Sequence, residues 1–286
     1  MIKKFSIPNY YSYGSNIIFI ANYKDKHPDY FFEDRVIDSA YDAPPELIWS
    51  GGRLTRIINK QYVPMMEILK TFSSHPEIKL RHTLTNTLIT PELTKDYTCN
   101  HFVKTSIRRN GDSIIVSNPV LIDYLKQTYP EIPLIYSTIM DIKDIDKVNE
   151  ISENNIYIMN YNYNNDNSYI DKLQHKENIE ILCADSCAPN CPYRKSHYDI
   201  LSRIILDVPQ KPFVCNSLSH YFDEVMKLPH AVDNDRVNEL SDMGIQYFKI
   251  VGRTLGIPSW LYTVLYYLVK PEYLLHVYLE ILNAWW

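Results

Sequence analysis

Three cysteines fall within nine residues, at Cys183, Cys187 and Cys191. Thiols this close together, in a chain whose other two cysteines are Cys99 and Cys215, suit metal or cluster ligation better than disulfides, provided the compartment is reducing. Pro189 and Pro192 interrupt the segment and forbid a regular helix through it. A looping chain can aim successive thiolates at one centre. Cys215 follows a further apolar run, Pro212 to Val214, and completes a set of four: Cys183, Cys187, Cys191 and Cys215. Four thiolates are the usual complement of a [4Fe–4S] cluster or of a closed zinc site. Two successive C-x3-C gaps are wide for a zinc knuckle, so the cluster is the preferred cofactor and zinc the alternative. Cys99 reads as a core thiol, and it is the substitute fourth ligand if Cys183 points into the wall of the fold. Some of these thiols could equally be buried free cysteines. Arg194, Lys195 and His197 follow directly. They would tune an anionic centre or simply head a solvated helix.

A second segment, Gly244 to Thr254, reads GIQYFKIVGRT. It is a loop, a short strand and a Gly-Arg turn, with Lys249 and Arg253 bracketing the strand end. Paired cations there suit an anionic small-molecule co-substrate, Arg253 offering bidentate contacts. A structural salt bridge is the competing reading. His82 and His197 are the candidates for moving protons, since imidazole titrates near neutrality.

The elements that must position these residues alternate. Strands are expected at Leu47–Trp49, Ile78–Thr83, Ser113–Val116, Pro133–Tyr136, Asn155–Met159, Ile179–Cys183, Phe213–Asn216 and Tyr247–Val251. Helical spacing lies between most of them. The strands are short and apolar, as buried parallel strands are. About eight strand–helix units in 286 residues favour a (β/α)8 barrel, with an open doubly wound sheet as runner-up. The chain is expected to be one domain: an irregular cap over residues 1–43, the barrel over 44–256, and two helices over 257–286. In a barrel the chemistry gathers at the C-terminal strand ends. The expected strands place Gly51, Gly52, Arg53, His82, Asn86, Asn118, Ser137, Asn160, Cys183, Cys215, Gly252 and Arg253 there.

The cysteine and lysine segments together resemble the collagenase-like peptidase family, which includes oxygen-independent, prephenate-linked hydroxylases. The matching residues are Cys187-Ala-Pro-Asn-Cys191 with Tyr198, and Met243-Gly-Ile245 with Lys249-Ile-Val-Gly-Arg253. The sharp motifs cover about thirty residues of a likeness running from about residue 45 to 256. Val251 stands where the family carries Glu, and the His-Gly and Ser-Gly stretch around an earlier cysteine is missing. The resemblance implies a barrel with a [4Fe–4S] cluster and a redox modification, such as hydroxylation without oxygen, of an RNA base or an aromatic small molecule. The alternatives are a peptidase or other hydrolase of the same family, and a non-catalytic partner subunit with a cluster or zinc. No H-E-x-x-H, G-x-S-x-G, G-x-G-x-x-G or P-loop sequence offers another route.

The totals narrow the rest. A net charge of −5 argues against a broad electrostatic grip on nucleic acid, though a local basic pocket could still meet RNA. The N-terminus has no signal-peptide pattern, and the apolar run Ile257 to Val269 is too short to span a bilayer. The expectation is a cytoplasmic protein without membrane contact. The aromatic end, Tyr262 to Trp286, could dock a protein partner or a second copy.

Overall fold

The computed structural model describes residues 1–52, 63–107, 111–210, 221–253 and 255–285. In chain order its strands and helices are β1 (Lys3–Pro8), α1 (Tyr10–Lys26), β2 (Arg35–Asp42), α2 (Met65–Thr71), β3 (Lys79–Leu84), α3 (Tyr97–Ser106), β4 (Ser113–Val116), α4 (Pro119–Thr128), β5 (Leu134–Tyr136), α5 (Ile145–Ser152), β6 (Ile156–Ile158), α6 (Asn167–Ile170), β7 (Ile179–Cys183), α7 (Arg194–Ile205), α8 (Phe222–Val225), α9 (Asn234–Asp242), β8 (Tyr247–Ile250), α10 (Ile257–Leu268) and α11 (Leu274–Trp285). The eight strands pair in sequence order, all parallel, and β8 pairs with β1 to close a barrel. This is the (β/α)8 architecture that the strand–helix alternation predicts.

Two strands differ from expectation. Residues 1–43 are not an irregular cap; they supply β1 and β2. Both strands carry polar side chains, such as Ser6, Asp38 and Ser39, that are buried inside the barrel, so neither reads as an apolar run. Leu47–Trp49 is not a strand. It is a turn that buries Trp49 and accepts a hydrogen bond from Asn86 on the Ile48 carbonyl (2.7 Å). Phe213–Asn216 lies outside the described residues, and the barrel closes by direct pairing of β7 with β8.

Local chemistry starts several helices. Asn118 accepts from the Leu121 amide with Pro119 at the first helical position, and Asp96 and Asp233 cap α3 and α9 in the same way. Each such cap satisfies an amide that the helix itself cannot.

Strand side chains alternate between two cores. Outward residues such as Phe5, Ile7, Leu80, Ile114 and Phe248 pack beneath the helices. Inward residues Tyr41, Ile115, Ile135, Ile158 and Leu182 form a smaller interior cluster. Below it lies a charged layer. Arg81 Nη1 donates to Glu180 Oε1 (2.5 Å) and Nη2 to Asp38 Oδ2 (2.9 Å), tying β3 to β7 and β2 across the barrel. Burial alone would discourage the guanidinium charge, but Glu180 and Asp38 outweigh it and raise the Arg81 pKa.

The C-terminal helices cover the barrel. Trp260 Nε1 donates to the Pro8 carbonyl, and Tyr267 is fully buried against Phe5. Much of the aromatic end is thereby core, while Leu275 and Leu279 of α11 stay exposed. Among the described residues, no helix is long and apolar enough to cross a membrane.

Removing Glu180 leaves buried Arg81 with one carboxylate, Asp38, and an unpaired Nη1. Glu180→Ala is expected to lower the free energy of unfolding by about 3–5 kcal/mol, read from the urea midpoint at constant m-value.

Candidate active site at the barrel mouth

The loop after β7 decides where the cysteines go. Cys183 ends the strand with its side chain outward. It is fully buried in the outer core, near Arg35 and Tyr267, and burial pushes its thiol pKa up. Ala184 then takes a left-handed conformation (φ 57°), which costs a non-glycine residue roughly 1–2 kcal/mol and turns the chain back over the barrel. The turn is held by Asp185, whose Oδ1 accepts from the Cys187 amide (3.0 Å), and by His230, whose Nε2 donates to the Asp185 carbonyl (2.8 Å). Cys187 therefore packs into the interior cluster against Tyr161, with Cys191 beside it.

The four-thiolate set is not assembled by the described residues. Cys183 and Cys187 face opposite cores. Cys99 is buried in α3, under the outer core near Trp49, as a core thiol whose pKa burial raises. Cys215 lies outside the described residues. Among the described residues no three His, Cys, Asp or Glu side chains are grouped to hold a metal ion. The donors among the described residues do not fit a [4Fe–4S] cluster or a four-cysteine zinc site.

What does converge at the mouth is cationic. A cavity of about 60 Å³ opens at the C-terminal strand ends. Its floor comes from inward barrel residues, including Tyr41, Thr83, Leu182 and Lys249, and its rim includes Thr138, Arg194, Tyr198 and Arg253. Lys249 is 6% exposed, and its Nζ lies 3.6 Å from the centroid of the Tyr41 ring. Tyr41 is itself fixed, its hydroxyl donating to the Ile250 carbonyl (2.8 Å). Burial lowers the Lys249 pKa to about 7; Arg81 and Arg253 push the same way, and Glu180 only partly opposes them.

The two arginines approach from loops. Arg194 begins α7 and is buried, its guanidinium 4.5 Å from the Tyr161 ring and 5.4 Å from that of Tyr198. Its Nη2 stands 3.7 Å from Asp185 Oδ2, an ion pair too long for a hydrogen bond. Arg253 lies 5.7 Å from the Tyr41 ring on the other side. Gly52 makes room for it: a Cβ there would come within 2.5 Å of Arg253 Nη2. Gly51 is similarly pressed against the Thr85 backbone, where a Cβ would fall 2.3 Å from a carbonyl carbon.

Five buried polar atoms of these lining residues have no hydrogen-bond partner among the described residues: Arg194 Nε and Nη2, Arg253 Nη1, Thr83 Oγ1 and Thr138 Oγ1. Buried donors are nearly always satisfied, by protein, water or ligand.

Of the sequence candidates, Lys249 and Arg253 line the cavity. His82 does not. It faces the helices, its Nδ1 bonded to the Tyr10 hydroxyl (2.7 Å) and its ring edge-on to Phe102, and burial lowers its pKa to about 3. His197 stacks on Tyr198 in α7 and is not among the cavity residues. Ser137 lines the cavity, but Asn118 and Asn160 cap short helices. Arg53 lies outside the described residues. Tyr41, Thr83 and Thr138 carry no motif; only the alternation of β2 and β3 could have pointed to the first two.

The fold and this cavity place the chain in a class: a (β/α)8 barrel with a cationic, aromatic-lined cavity at the C-terminal strand ends. No family model matches the chain, and no curated protein or solved structure does.

Two outcomes follow from this geometry. Replacing Cys183 by Ala should leave the metal content of the purified protein unchanged, measured by elemental analysis, because its thiol faces the helices. Replacing Lys249 by Met should stabilise the protein most below about pH 6. There the native lysine, whose folded pKa is about 7, is protonated in both states, and its folded state carries the full burial penalty. Between pH about 7 and 10.5 the unfolded chain binds the proton and the folded one does not, so native stability rises with pH. The advantage of the Met variant, on the order of a few kcal/mol, should shrink across that window, as read by urea unfolding.

Proposed function

We propose that this chain is an enzyme whose active site is the cavity at the barrel mouth, and that its substrate is a small molecule bearing an anionic group. The observation that carries this reading is the meeting of Lys249, Arg194 and Arg253 with the rings of Tyr41 and Tyr198 in the lining of one cavity, at the end of the barrel where barrel enzymes place their chemistry. Guanidinium donors suit carboxylate or phosphate oxygens, which accept in bidentate fashion. The Tyr41 and Tyr198 rings supply flat apolar walls. Lys249, with a pKa of about 7, is poised to give or take a proton near neutrality.

A water-sized group needs roughly 10–15 Å³ of such space, so the recess of about 60 Å³ beside Lys249 fits an anionic group of a few non-hydrogen atoms. The hydroxylation implied by the family resemblance needs a redox centre that the described residues do not assemble. The anionic co-substrate implied by Lys249 and Arg253 is the part of that expectation the reading keeps, now with Arg194 beside them.

Titration calorimetry with a panel of small carboxylates and inorganic phosphate tests the reading. The native protein should bind at least one of them, more weakly as salt rises. Arg253→Ala should weaken that binding by roughly ten- to a hundredfold, the value of a hydrogen bond to a charged group. Equal binding by native and variant protein, or none by either, would refute it.

A further inference from the structure

We propose that Lys249 is a nucleophile that condenses with the carbonyl of a small 2-oxo carboxylate, forming an imine through Nζ. The proposal rests on the anionic-substrate reading above and names both the substrate class and the bond made. Three independent features of the cavity carry it.

The first is placement. Lys249 is on the inward face of β8, opposite Leu182 in register and level with the apolar interior layer. It rises into the cavity from a strand rather than from a loop, so its amine is held on a rigid element. The exposed lysines, such as Lys195, have no such setting. The second is the environment of the amine. It lies against the face of Tyr41, surrounded by Ile115, Ile158, Leu182 and Val251. A lysine desolvated among apolar groups and near other cations is the usual form of an amine nucleophile. The lowered pKa agrees with this and leaves a large neutral fraction near pH 7.

The third is the company it keeps. A 2-oxo acid has a carboxylate on the carbon next to its carbonyl. Arg253 and Arg194 line the same cavity, and guanidinium groups there suit that carboxylate. Thr83 and Thr138 line it too and carry hydroxyls, the kind of group that donates to a leaving oxygen.

The step balances without any oxidant. The neutral amine attacks the carbonyl carbon, a C–N bond forms, and the carbonyl π electrons move to oxygen, which is protonated. The resulting carbinolamine loses that oxygen as water, the nitrogen lone pair completing the C=N bond. One ammonium and one carbonyl become one iminium and one water. The iminium then withdraws electrons from the neighbouring carbon, which is the general use of such an adduct.

The experiment is reductive trapping. The native protein is incubated with pyruvate or glyoxylate, reduced with borohydride, and mapped by peptide mass spectrometry. The expected result is one reduced adduct on the peptide carrying Lys249. Its yield should rise as the pH passes through about 7 and fall at least tenfold in Arg253→Ala. In Lys249→Met the adduct should disappear from this peptide with no compensating label elsewhere. Label spread over the surface lysines overturns the proposal. Calorimetry on the same acids separates the two readings. Binding without an adduct on Lys249 overturns the imine and leaves the anion site intact. Absence of both binding and adduct overturns both.

Discussion

The guanidinium of Arg81, shared between Glu180 and Asp38 inside the barrel, is the interaction on which the arrangement above it depends. It joins three strands that are not all neighbours in the sheet, and it sits where a barrel usually places branched apolar side chains. Charges in such a position are tolerated only when paired and hydrogen-bonded. The layer also creates the electrostatic setting of the site. Arg81 lowers the Lys249 pKa while Glu180 partly holds it up. Burial is the largest influence on the amine, and this pair of side chains one layer beneath adjusts it.

Above that layer the site is assembled by two loops from different sides. The turn after β7 is forced over the mouth by the left-handed Ala184, and it is held there by Asp185 and His230. It delivers Arg194 at the start of α7. The turn after β8 delivers Arg253, for which the Gly51-Gly52 turn leaves space. Strain at a non-glycine residue is found where the surrounding structure over-determines it, and here the reward is a buried arginine stacked on Tyr161 and Tyr198. The aromatic faces hold the guanidinium groups beside the cavity.

Much of this was readable beforehand. Strands β4 to β7 are short, mostly apolar runs, and β3 and β8 were expected at Ile78–Thr83 and Tyr247–Val251, close to where they lie. Lys249 and Arg253 were visible as a cationic pair at a strand end. Strands β1 and β2 were not visible, because their inward positions hold Ser6, Asp38 and Ser39, which face the charged interior layer instead of an apolar core. A strand buried on both faces normally reads as hydrophobic; here the charged layer removed that signal, and Tyr41 was lost with it.

The amino-acid order by itself determined the alternation of strands and helices from β3 onward, which favours a barrel over an open sheet, and the pair of cations at the end of the last strand. These are local properties, set by side-chain periodicity, capping and turn chemistry. Tertiary structure alone decided which side chains share a site. Cys183 and Cys187 are near neighbours in sequence, yet one left-handed residue between them sends the first thiol to the outer core and the second to the barrel interior. Tyr41 and Lys249 belong to the second and the last strand and meet at 3.6 Å. Proximity in sequence constrains the reach of the chain, but the direction of a side chain is set by backbone dihedrals and by the closure of the sheet.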